Sequence, residues 1–131
     1  MSSMAEADVA MRMFQDAWDL HSEAMEELGR GKLRNAAEKA WGATKRATDA
    51  LILARTGERP ATTASTTREL HNLAEVDERV EVLVGRYHTR ANYLHGHCFY
   101  DGMCEPAGQV ERRIRETTEY IQDAQELASI Q

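Results

Sequence analysis

Apolar residues recur at intervals of three and four along most of the chain, and this spacing places them on one side of a helix. The longest such series lies in the second half of the sequence and consists of Val76, Val80, Leu83, Val84, Tyr87, Ala91, Leu94 and Cys98. Few segments show the two-residue alternation of half-buried strands. The pattern therefore predicts an all-α fold.

The periodic stretches and their interruptions predict four long helices and one short helix. The predicted helices cover residues 3–28, 32–55, 67–73, 77–97 and 106–129, and the third of them is the short one. Thr66 and Glu69 have the offset of a capping box, and Pro106 suits the first turn of the last helix. Short connections make neighbouring helices antiparallel. We therefore expect one domain over residues 1–131, an up-and-down bundle with the alanine-rich second helix at its centre.

Composition adds expectations about location and redox state. No run of eighteen apolar residues is present, which argues against a membrane span, and the N-terminus lacks the features of a signal peptide. We therefore expect a cytoplasmic protein. Its two cysteines, Cys98 and Cys104, are expected to be thiols in that compartment.

The net charge of -6 is unevenly distributed. Residues 1–28 contain seven acids and one arginine, whereas residues 30–59 contain eight bases and three acids. One interpretation is that an acidic helix lies beside a basic helix and that the two faces offset each other in solvent. The other is that the basic face contributes to an RNA-binding groove.

Candidate chemistry is concentrated in residues 86–98, which contain two arginines, three of the five histidines and two tyrosines. Arg90 can neutralise a phosphate and His95 can move a proton. On an ideal α-helix these two residues are roughly 140° apart. A shared site therefore requires one of three things: the long arginine side chain wrapping round, a helix that loosens near Gly96, or a second copy of the helix.

A metal site is the rival chemical interpretation. His88, His95, His97, Cys98 and Cys104 include good ligands for transition metals. However, His88 and His95 are two turns apart, about 10 Å along a helix, which is too far for one zinc ion. We therefore expect no metal and no other cofactor.

Three segments together resemble the HEPN domain family. They are residues 35–40 in the alanine-rich second helix, residues 69–73 after the loop, and residues 90–95, which match the family's arginine, four to six residues, histidine motif. The alanine-rich sequence of the second helix and the chain length resemble those of the PaREP1-like branch. This resemblance implies a small four- or five-helix up-and-down bundle that dimerises.

The resemblance further implies a metal-independent endoribonuclease site where the motif helices of two protomers meet. His95 would act as general base or acid, and Arg90 would hold the scissile phosphate. Arg86, Asn92 and His97 are the candidates for binding RNA or a nucleotide. The implied partners are a second copy of the chain, RNA or a nucleotide, and an antitoxin protein.

Two positions differ from the pattern of the nuclease members. Ala91 follows the arginine where those members usually have a polar residue, and His97 stands where the toxin branch often has tyrosine. The alternative function is a non-catalytic, dimeric helical interaction module. In that case Arg86, Tyr87, Arg90 and Tyr93 would anchor an interface, because arginine and tyrosine are common there.

Overall fold

A computed structural model describes residues 4–129 of the chain, and these residues form helices and no strand, as predicted. Six α-helices, one short 3₁₀ turn and one π-helical segment follow one another. They are α1 (Met4–Gly29), α2 (Leu33–Thr56), α3 (Thr63–Val76), the 3₁₀ turn (Glu78–Val80), α4 (Glu81–Thr89), the π-helical segment (Arg90–Tyr100), α5 (Ala107–Arg115) and α6 (Thr117–Ser129). In this part of the chain, no helix has the length and apolar content needed to cross a bilayer.

Helix α2 is central, as predicted, because it packs against α1, α3, the π-helical segment, α5 and α6. Small side chains make this close packing possible. Its fully buried alanines are Ala36, Ala37, Ala40, Ala43, Ala47 and Ala50. Trp41 is the one aromatic residue on α2, and it is buried against Tyr87 of α4.

Ion pairs join the acidic first helix to the basic second helix. Arg46 pairs with Asp16 at 2.9 Å, and Lys39 pairs with Glu23 at 3.3 Å. The partner of the later α2 residue is the earlier α1 residue, so α1 and α2 run antiparallel. The first interpretation of the charge pattern is therefore confirmed for this helix pair, although exposed pairs of this kind stabilise little. For the complete set of helices, antiparallel order stays a prediction.

Helix α3 begins earlier than predicted because a different threonine caps it. Thr62 is extended, its Oγ1 accepts a hydrogen bond from Ser65 N at 3.1 Å, and its own N–H donates to Ser65 Oγ at 2.9 Å. This reciprocal pair is the capping box. The predicted box at Thr66 and Glu69 was wrong. Thr66 lies inside the helix, where its buried hydroxyl donates to Asp49 at 2.6 Å.

The last predicted helix is interrupted, which the apolar spacing did not reveal. The chain departs from helical geometry at Glu116, between α5 and α6. Thr117 is fully buried beside this break, and its hydroxyl donates to the carbonyl of Arg113. A threonine bonded in this way to the preceding turn competes with regular helix formation and often bends a helix.

The two cysteines form a disulfide, so the expectation of free thiols was wrong. The chain reverses direction directly after the π-helical segment, where Gly102 has φ +73°. A left-handed residue of this kind favours glycine. The reversal brings the Cα atoms of Cys98 and Cys104 to 4.2 Å, and the bond ties the end of the segment to the following loop. The expectation of free thiols rested on the cellular compartment alone and took no account of this turn.

Candidate functional site

The candidate site lies on the π-helical segment. Its hydrogen bonds span five residues instead of four, as in the 3.0 Å bond from Asp101 N to the Gly96 carbonyl that closes it. A regular α-helix was predicted as far as residue 97, so that prediction was wrong beyond Thr89. Single π-helical turns are frequent at functional sites, and a run of eleven residues is rare.

His95 is held in a defined orientation by side chains of α2 and of its own segment. Its Nδ1 lies 2.7 Å from a carboxylate oxygen of Glu38. Its ring stacks on Trp41, at 5.8 Å between centroids, and on Phe99, at 6.3 Å. The imidazole remains partly exposed, and within residues 4–129 its Nε2 has no hydrogen-bond partner.

The carboxylate determines what this histidine can do. Glu38 accepts a hydrogen bond from Nδ1–H, which leaves the lone pair of a neutral imidazole on Nε2. Stacking against the aromatic rings restricts rotation of the imidazole. The result is a proton acceptor of fixed direction at the surface of the π-helical segment.

A second contact from α2 fixes the end of the segment. Arg34 donates from Nε to the carbonyl of Phe99 and from Nη2 to the carbonyl of Tyr100, the latter at 3.1 Å. Arg34, Glu38 and Trp41 are four and three residues apart, so they share one face of α2. Sequence reasoning did not select them as site residues. Their spacing on a helix otherwise lined by alanines was the available signal.

Arg90 points to a different part of the molecule. It is 4% exposed, and it donates from Nε to Thr117 Oγ1 at 3.0 Å, from Nη1 to the Arg86 carbonyl at 3.2 Å and from Nη2 to the Arg113 carbonyl at 3.1 Å. Burial, followed by the positive charge of Arg86, lowers the pKa of Arg90 to about 10, so it remains charged at neutral pH. All three acceptors are neutral, and no carboxylate in the described chain forms an ion pair with it.

Arg86 and Arg90 border one small cavity. Arg86 donates to Asp123 of α6 through both terminal nitrogens at 2.8 Å, while its buried Nε has no partner in the part of the chain that the structure describes. The cavity has a volume of about 240 Å³, and Arg113, Glu116 and Glu119 also line it. Three arginines, Arg86, Arg90 and Arg113, called here the arginine cluster, thus line this small cavity together with two glutamates.

Asn92 and His97, the other predicted RNA-binding residues, are exposed. The ring of His97 lies 5.2 Å from that of Tyr93, and the guanidinium of Arg113 lies 5.0 Å from the centre of the same tyrosine ring. These side chains form a surface beside the buried Arg90. Their role in binding stays a prediction.

The structure does not bring Arg90 and His95 together within one chain. Arg90 contacts α5 and α6, whereas His95 contacts α2. The loosened helix is present, but it does not by itself produce a shared site. A site that uses both residues would therefore need a second copy of the chain.

The side chains proposed as metal ligands have different partners and do not form one cluster. His88 Nε2 lies 2.8 Å from Nε2 of His71, a residue of α3 that sequence reasoning did not single out. His95 is bound to Glu38, and both cysteines are in the disulfide. Within residues 4–129, no three His, Cys, Asp or Glu side chains converge in a way that could hold a metal ion.

One protein-family model matches most of the chain, including the residues of the candidate site. The model of the family described as the archaeal PaREP1/PaREP8 family matches residues 12–123. The matched region includes the His95–Glu38 pair, the arginine cluster and all of the π-helical segment. No curated protein and no solved structure gives a significant match to the chain.

Proposed function

The chain belongs to the archaeal PaREP1/PaREP8 family, and we propose that it is a HEPN-like, metal-independent endoribonuclease that acts as a homodimer. One observation carries the proposal: the partly exposed His95 is fixed through Nδ1 by Glu38 and by stacked aromatic rings, with Nε2 turned to no protein group in the described chain. A histidine held in this way is suited to proton transfer at a substrate.

RNA supplies the remaining chemistry. Nε2 of His95 takes the proton of a ribose 2'-hydroxyl, and the 2'-oxygen then attacks the adjacent phosphorus. The bond from phosphorus to the 5'-oxygen breaks, this leaving oxygen takes up a proton from solvent water, and the proton on His95 returns to solvent. The products are a 2',3'-cyclic phosphate and a 5'-hydroxyl end, and no metal ion takes part. DNA lacks the 2'-hydroxyl, so the mechanism predicts selectivity for RNA.

The negative charge of the reacting phosphate needs a positive partner. Arg90 and Arg113 form no ion pair with a carboxylate of the described chain, so their charges are the candidates for this role, whereas Arg86 is already paired with Asp123. Because they lie on the other flank of the π-helical segment from His95, the arginine cluster of one protomer would serve the histidine of the other.

Apolar surface near the segment supports such a dimer. Tyr93, Tyr100 and Met103 are 46%, 71% and 60% exposed. All three belong to the π-helical segment or to the loop directly after it, and exposed tyrosine and methionine are enriched at protein interfaces.

The test is RNA cleavage in EDTA by wild-type protein, His95→Ala, Glu38→Gln and the surface control His71→Ala. We expect cleavage that survives chelation, a loss of about 10² to 10⁴-fold in His95→Ala, a smaller loss in Glu38→Gln, and wild-type activity in the control. The product should carry a 2',3'-cyclic phosphate. Equal activity in wild type and His95→Ala, or cleavage that requires added metal, would contradict the proposal.

A second candidate is the non-catalytic interaction module, and the burial of Arg90 favours it. Its hydrogen bonds to Thr117 and to the Arg86 and Arg113 carbonyls join the π-helical segment to α5 and α6, which is a structural role. A folded wild-type dimer that neither cleaves nor binds RNA would favour this candidate over the nuclease.

A further inference from the structure

A cationic groove lies on α2 beyond the His95–Glu38 pair. It is a cavity of about 600 Å³ between α1, α2 and the loop before α3, and its lining includes Gly42, Lys45, Arg46, Asp49 and Arg59. A neighbouring cavity of about 310 Å³ shares Arg59, Pro60 and Ala61 with it and adds Glu58, Arg68 and Glu69, the last two paired at 3.3 Å. The two cavities thus adjoin at Arg59, and we refer to them together as the groove.

The charges of the larger cavity favour an anion. Asp49, the acid in the lining of the larger cavity, is buried and already accepts hydrogen bonds from Lys45 at 2.9 Å and from Thr66 at 2.6 Å. Arg46 forms an exposed pair with Asp16. Arg59 is exposed and forms no ion pair with any residue of the described chain. The accessible charge of this cavity is therefore positive, in a protein whose net charge is -6.

Gly42 leaves the floor of the groove open. A Cβ atom at this position would lie 3.7 Å from the side chain of Leu20, so a larger side chain would fill the space between α1 and α2. The absence of a side chain here, beside two cations, leaves room for a ligand to approach the α2 surface.

The groove is aligned with the candidate catalytic histidine. Glu38, Gly42, Lys45 and Asp49 are separated by four, three and four residues, so they form one row along α2. Glu38 holds His95, and Lys45 lies two turns further along the same row, about 10 Å away. An extended strand that reaches His95 can therefore continue into the groove.

From this alignment we infer that the groove binds the backbone phosphates of single-stranded RNA on one side of the bond that is cut at His95; this inference rests on the proposed function. Tyr100 is 71% exposed and lies 5.6 Å from the His95 ring, so it offers a stacking surface for a base next to the cut. Stacking on aromatic side chains together with a positive groove is the common way of binding single strands.

The experiment measures binding of a 2'-O-methyl oligoribonucleotide, which cannot be cleaved because its 2'-oxygens are blocked. The proteins are wild type, Arg59→Gln, Arg59→Glu and the control Arg12→Glu, which reverses an exposed charge on α1. Binding should weaken in both Arg59 variants, more in the second, and stay unchanged in the control. The slope of log K against log salt should become shallower by about 0.7 in Arg59→Gln, the value for one contact to a single strand.

Cleavage of a dinucleotide separates this inference from the proposed function. A dinucleotide has only the phosphate that is cut, so its cleavage should be unaffected in Arg59→Gln. If the wild type cuts RNA through His95 but the Arg59 variants bind the oligonucleotide normally, the groove inference fails and the nuclease stands. If nothing is cut but binding depends on Arg59, the groove stands and the nuclease fails. Arg59-dependent binding of nucleoside phosphates without binding of the oligonucleotide would also overturn the groove inference.

Discussion

His21 shows how one buried polar side chain affects the whole chain. It lies on the inner face of α1, and its Nε2 donates a hydrogen bond to the carbonyl of Ile114 on α5 at 3.2 Å. Trp18 contacts the edge of its ring. No pattern in the sequence could give the partner of this residue, because the partner is a backbone carbonyl 93 residues away.

Burial gives His21 a pH dependence with a definite sign. Removal from water lowers the pKa of His21 below 6.5, and its backbone hydrogen bonds to α5 offset this only in part. The unfolded chain therefore binds a proton that the folded chain does not, once the pH falls below about 6.5. The stability from neutral His21 is fully present above that pH and is lost as the pH falls through the folded-state pKa.

We therefore expect the free energy of unfolding to decrease between pH 7 and pH 5, and to decrease less in His21→Gln. Glutamine retains an N–H donor but does not titrate. Urea unfolding at a series of pH values measures both proteins. A variant whose stability falls in parallel with that of the wild type would show that His21 is not the group responsible.

The helices could be predicted from sequence to different degrees. Apolar spacing identified α1 and α2 nearly to their ends, because Gly29 and Gly57 follow long regular stripes. It could not distinguish α-helix from π-helix after Thr89, since both bury a similar series of residues. Glu38 was recognised only as a charge, because its role depends on His95, which is 57 residues away in the chain.

The disulfide at the end of the π-helical segment makes a measurable contribution to stability. Closing the short loop between Cys98 and Cys104 restricts the unfolded chain and should stabilise the protein by about 2 kcal/mol. We expect a reductant to lower the free energy of unfolding by this amount. Cys104→Ala should match the reduced wild type and should not respond to reductant.

Thiol titration provides an independent check of that bond. Under non-reducing, denaturing conditions, the wild type should have no titratable thiol, whereas Cys104→Ala should have one. Two thiols in the wild type, or equal stability with and without reductant, would contradict a disulfide between these residues.

At the scale of the whole molecule, the charges are divided between the helices. The acidic α1 covers part of α2 and the cationic groove opens beside it, whereas exposed apolar side chains occur at the π-helical segment and also on α1, α3 and α4. The uneven charge distribution was visible in the sequence. The sequence did not show which cations of α2 form ion pairs with α1 and which line the open groove, because this depends on the side of α2 that faces α1.

The apolar surface leads to a prediction about assembly. We expect the wild type to be a dimer at micromolar concentration, and Met103→Glu to shift it towards monomer by placing a charge in the interface. Met11→Glu is the matched control, because Met11 is also largely exposed, at 69% against 60% for Met103, but lies on α1. Sedimentation velocity distinguishes the states. A monomeric wild type, or a dimer unaffected by Met103→Glu, would rule out this interface.

The π-helical backbone also determines how the protein tolerates insertions and deletions. Each hydrogen-bonding step of this segment spans five residues, whereas the corresponding step in an α-helix spans four. Deleting one residue would let one of its turns become α-helical, and the residues that follow would keep their contacts with α2. We therefore expect the segment to tolerate a single-residue deletion better than the regular helices α1 and α2 do.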